Sequence, residues 1–136
     1  MSTIVVPDVG EVPLLRKMLK DALSVDETYT LHLFVNDETP DDDTVIGDLT
    51  EASFTGYATK VLTRAGWGAP GTAGGITSSV YAQQQFDNTG GPTETVYGYY
   101  VTATDGGELL WLERLDDPRV VASGDNAKIT PRFELA

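Results

Sequence analysis

From Thr28 to Asn36 the chain alternates. Tyr29, Leu31, Leu33 and Val35 fall on one side, and Thr30, His32, Phe34 and Asn36 fall on the other. A period of two suits a strand that buries one face, so the first set reads as core. The run breaks at 36–43, where Asn, Asp, Thr and Pro supply turn chemistry. Asp48 then reads as the cap of one short helical turn over Asp48–Glu51.

Strand chemistry returns at Tyr57–Thr63, Ser78–Phe86, Thr95–Thr104, Glu108–Leu115 and Ala127–Leu135, with Val120–Val121 as a further piece. Asp105-Gly106-Gly107 is a hairpin signal, because Asp-Gly takes the positive φ of a tight turn. Pro131 lacks a backbone donor, so its strand belongs at an edge or a bulge. Residues 65–77 read as a Gly-rich loop. One segment has helical spacing: Pro13 at a first turn, then Leu14, Leu15, Met18, Leu19 and Leu23 on one apolar face. The expectation is a mainly β fold, a single β-sandwich or barrel-like domain with one N-terminal α-helix. Residues 1–10 form an N-terminal arm, and 11–136 form the β-rich domain with its helix at 12–23.

At 136 residues, with 40% hydrophobic content, the chain can bury a core without a metal or disulfide staple. It has no cysteine, which removes thiolate metal sites and cysteine nucleophiles. No apolar run approaches the roughly 20 residues of a membrane span, and the first residues lack the pattern of a secretory signal. The net charge of −12 repels nucleic-acid phosphates and anionic membranes, so neither is an expected partner.

Candidate chemical sites fail on context. Gly66-Trp-Gly68-Ala-Pro-Gly71 has the letters of a dinucleotide fingerprint, but Pro70 and the residues after it make a poor helix start. Asp37, Glu38, Asp41, Asp42, Asp43 and Asp48 invite a calcium reading. Counted from Asp41, the sixth EF-hand position falls on Ile46 where glycine is needed. A solvated acidic loop is the simpler account, and an irregular cation site stays open. His32 is the only histidine, so any hydroxyl–imidazole–acid triad must use it; a structural role suits a mid-strand residue better. With 21 acids, a carboxylate pair is always available, but nothing marks one out. The expectation is no catalytic, metal-binding or cofactor-binding residue, and no cofactor.

Three stretches resemble the small structural proteins of tailed bacteriophages: Leu31-His-Leu-Phe-Val-Asn36, then Thr39-Pro40 with Asp43-Thr44, then Leu49-Thr-Glu-Ala-Ser-Phe-Thr-Gly-Tyr-Ala58. The segment Ser123–Leu135, a Gly-Asp turn before a last strand, is similar more weakly. The likeness spans about 12–64 and, less closely, 120–136. It implies a virion protein without catalysis, made in the host cytoplasm and carried on the capsid surface. Such a capsid cement or decoration protein would bind the major capsid protein and associate as a homotrimer. A tail or fibre component that binds a receptor or glycan is the alternative, motivated by Trp67, Tyr97, Tyr99, Tyr100 and Trp111. The partner-contact candidates are Ile4, Val5 and Val6 in the arm, taken to order on a partner, and Trp67, Pro70 and Ile76 in the Gly-rich loop.

Overall fold

The computed structural model describes residues 3–19 and 27–135. The chain runs β1 (Ile4–Val5), α1 (Asp8–Leu19), β2 (Thr28–Phe34), β3 (Lys60–Thr63), β4 (Gly71–Ala73), β5 (Ile76–Val80), β6 (Gln84–Asp87), β7 (Glu94–Ala103), β8 (Leu109–Val121), β9 (Asn126–Ile129) and β10 (Arg132–Leu135). The domain is mainly β and sandwich-like, with antiparallel sheets and a helix near the N-terminus.

The largest sheet has the order β1-β8-β7-β2-β3. Its centre is the expected hairpin: β7 turns into β8 over 104–108, where Gly106 and Gly107 have φ of 91° and 71°. Leu31, Leu33, Tyr99 and Val101 bury one face against Phe86, Val121, Ala127 and Ile129. Between Val101↔Trp111 and Thr102↔Leu109 the register slips, leaving Leu110 as an extra residue. Because of that bulge, the adjacent Leu110 and Trp111 both join the same core.

The second face of this sheet is also covered. Phe34, Tyr100, Leu109 and Leu112 form their own buried cluster, flanked by Val5, Leu49 and Tyr97. The reading of one core face on β2 is therefore incomplete, since Phe34 on the opposite side is fully buried. Gly98 makes this packing feasible. A Cβ there would stand 2.3 Å from the Glu113 carbonyl oxygen and 2.5 Å from the Phe34 ring. Gly98→Ala is expected to destabilise the fold by about 1–3 kcal/mol through overpacking, read as a lower urea midpoint at unchanged slope.

Three expectations need correction. The N-terminal segment is not an arm awaiting a partner: Ile4 and Val5 pair antiparallel with Glu113 and Leu112 of β8. The helix begins at Asp8 rather than 12, so Pro13 lies inside it instead of in its first turn. The predicted end of that helix, 20–23, lies outside the described residues. The short helical turn spans Ile46–Asp48, and Asp48 closes it, accepting the Val45 N–H at 3.0 Å.

The Gly-rich region holds more structure than a loop. A 3-10 turn at Arg64–Gly66 leads to a bridge between Trp67 and Tyr81, and β4 pairs with β5 as a hairpin. The last strand divides at Pro131. β10 pairs with β5 and β9 pairs with β6, so one antiparallel ribbon is interrupted where proline has no N–H to donate. The Pro131 carbonyl still accepts the Tyr81 N–H at 2.8 Å.

Candidate functional site

Two clusters of polar side chains tie distant parts of the fold together. The first is built on Glu51. Its Oε2 accepts the Tyr57 hydroxyl at 2.7 Å and lies 2.8 Å from His32 Nδ1. The Tyr57 hydroxyl in turn accepts the Leu33 N–H at 3.1 Å. His32 Nε2 lies 2.9 Å from Thr102 Oγ1, and its ring stacks on Tyr100 at 4.5 Å and 5°. Burial raises the Tyr57 and Tyr100 hydroxyls well above the ordinary tyrosine range, and the Glu51 carboxylate adds to the effect.

Hydroxyl, imidazole and carboxylate thus stand in a row, the order of a nucleophilic triad. Access decides against that chemistry for Thr102. It is 4% exposed and lies within β7, so its hydroxyl faces packed side chains rather than a cleft. The row works as a brace tying the loop at Glu51 to β2 and β7.

The second place is Glu113, buried on β8. Arg132 reaches it with two nitrogens, Nη2 to Oε2 at 2.8 Å and Nε to Oε1 at 3.3 Å. The Tyr99 hydroxyl donates to Oε1 at 2.7 Å and accepts the Arg132 N–H at 3.1 Å. Glu113 holds the Arg132 guanidinium above its ordinary range. The Arg132 carbonyl accepts Trp111 Nε1–H at 3.0 Å, which fastens β10 to the large sheet.

The acidic loop is organised by the protein itself. Asp41 Oδ1 accepts the Asp43 N–H at 3.0 Å and the hydroxyl of buried Thr44 at 3.2 Å. Arg114 pairs with Asp37 at 2.6 Å, donates to the Glu38 carbonyl at 2.8 Å and lies over the Tyr97 ring. Among the described residues, no three His, Cys, Asp or Glu side chains are grouped to hold a metal ion. The dinucleotide spelling ends in β4 rather than a helix, so no helix N-terminus faces that loop.

The contact candidates scatter. Ile4 and Val6 pack on the main core and Val5 on the second cluster, all half-buried within their own chain. Trp67 is half-buried, edge-on to Tyr81 at 5.2 Å and 6.0 Å from Trp111. Pro70 is exposed, and Ile76 is half-buried. Tyr99, Tyr100 and Trp111 are buried, which withdraws most of the aromatic supply behind a glycan-binding surface.

Sequence reading missed one surface. The apolar set Leu14, Leu15, Met18 and Leu19 divides in the structure. Leu14 packs on the core, while Val12, Leu15, Met18 and Leu19 are exposed at 68%, 56%, 66% and 75%. The missing signal was Gly10 and Pro13. Both are buried, and they bring α1 so close to β8 that a Cβ on Gly10 would stand 2.3 Å from the Leu110 carbonyl oxygen.

No described helix is long and apolar enough to cross a membrane. Compared with protein-family models and with curated proteins, the chain matches none.

Proposed function

We propose that this chain is a virion structural protein of a tailed bacteriophage, a decoration protein that binds the outside of the head as a homotrimer and stabilises the shell. The observation that carries the proposal is how the resembling stretches meet. Asn36, which ends the first, donates through Nδ2 to the Asp48 carbonyl at 2.8 Å and accepts the Thr50 N–H through Oδ1 at 2.8 Å. Phe34 bridges to Glu51, and Glu51 anchors Tyr57. The Phe54–Tyr57 turn closes with a 2.9 Å bond and has Gly56 at φ 92°, a conformation that favours glycine. The stretches that carry the resemblance are therefore one bonded framework unit, which supports a structural rather than a catalytic role.

The acidic surface supports the same reading, because a charge of −12 keeps a dense array of copies soluble and off packaged DNA. Quantitative mass spectrometry and electron microscopy of purified particles provide the test. The expected result is the chain on the head in fixed ratio to the major capsid protein, with heads lacking it opening at lower temperature. Finding it only on tails would move the assignment to the tail, and its absence from particles would overturn both.

A further inference from the structure

α1 carries two apolar faces on opposite sides. At about 100° per residue, Gly10, Pro13 and Leu14 point roughly opposite to Val12, Leu15 and Leu19. The inward set meets β8 and the core. The outward set is spaced by three and then four residues, the seam of a helix that packs on another helix. Among the described residues α1 is the chain's only α-helix, and none of them covers that seam, which leaves Val12, Leu15 and Leu19 exposed.

We propose that α1 of one copy packs in parallel against α1 of neighbouring copies of this chain, as in the homotrimer proposed above, through Val12, Leu15 and Leu19. Charge selects both the occupant and its direction. With Val12 and Leu15 at the two seam positions, Glu11 and Arg16 take the flanking positions five residues apart. In a parallel pair this spacing sets an acid on one helix beside a base on the next. Glu11 is exposed, and Arg16 is held near the surface by Glu108 at 3.3 Å, with side chains 46% and 38% exposed. A guanidinium carries five N–H donors, so the neighbour's Glu11 can join Glu108 on Arg16 without displacing it. Met18 borders the seam and widens the apolar surface that closes on association. A lipid surface fits poorly, since a chain of −12 is repelled by anionic headgroups. The inference concerns contact between copies and stands apart from where the protein resides.

The test is sedimentation of the full chain together with circular dichroism. The wild type is expected to sediment above the 14.6 kDa of one chain. Leu15→Glu, and separately Leu19→Glu, is expected to weaken association by at least about thirtyfold, the loss of a central interface anchor. Both side chains are exposed in the single copy, so the thermal melt of the dissociated chain should stay unchanged. Glu11→Arg and Arg16→Glu should each weaken association, and the double exchange should restore it. A monomeric wild type, or Leu15→Glu at wild-type mass, overturns the proposal; failure of the double exchange to restore association overturns the parallel pairing. Binding of these variants to phage heads is read separately, so loss of self-association and loss of the virion role are distinguishable.

Discussion

Arg132→Ala is expected to lower stability by about 3 kcal/mol, near the bottom of the range for removing one partner of a buried ion pair. The Glu113 side chain is only 7% exposed, whereas that of Arg132 is 22% exposed. Removing the arginine therefore leaves a carboxylate with little access to water, and keeping that charge desolvated accounts for most of the cost. The Tyr99 hydroxyl remains as a donor at 2.7 Å, which limits the loss. For a chain of this length the effect corresponds to a fall in Tm of about 10 °C. Glu113→Gln in the Arg132→Ala background removes the stranded charge and should recover part of the loss, giving a coupling energy of order 1 kcal/mol or more. Calorimetry of the single and double variants checks this. A loss below about 1 kcal/mol for Arg132→Ala would show that Glu113 is solvated after all.

The same residues mark how far the sequence could be read. Local chemistry was legible: the alternation at Thr28–Asn36 is β2 and its exit, and Asp105-Gly106-Gly107 is the β7–β8 turn. The sequence places Pro131 inside one edge or bulged strand, Ala127–Leu135; the strand instead divides there into β9 and β10, because proline lacks the donor a ladder needs. What escaped was set by partners far along the chain. His32 meets Glu51 and Thr102, 19 and 70 residues away, and no spacing rule connects them. Phe34 alternates with core residues and so reads as outward. It is buried because the loop carrying Leu49 and the strand carrying Val5 cover the second face. The helix misled for the opposite reason. Leu14 and Leu15 are neighbours in one apolar pattern, and only the close approach at Gly10 assigns them to different sides. The exposed seam, the strongest candidate for contact, was thus hidden inside a correct helical periodicity.

Alkaline pH should unfold this protein steeply. Tyr57, Tyr99 and Tyr100 all have hydroxyls raised well above the ordinary value of 10.0, with burial the leading cause in each. Tyr57 and Tyr99 also donate to carboxylates, Glu51 and Glu113, which disfavours a phenolate beside them. The sign follows from proton counts. Below about pH 10 the three are protonated in both states, and their contribution is fully present. Above it the unfolded chain releases protons that the folded chain keeps, so stability falls as pH rises. Each such tyrosine contributes a slope of about 1.4 kcal/mol per pH unit, and three together about 4. A typical reserve of about 5–15 kcal/mol should therefore be exhausted within about one to four pH units above 10. Tyrosinate absorbance and far-ultraviolet circular dichroism should therefore change together for these three. Tyr100→Phe should make the pH dependence shallower by about a third, because one proton-linked group is removed. Tyrosinate absorbance rising to completion while the circular dichroism stays native would refute the account, since it would mean the three hydroxyls ionise in place. Coincidence of the two signals would mean that the brace at Glu51 and the anchor at Glu113 hold until the whole sheet gives way.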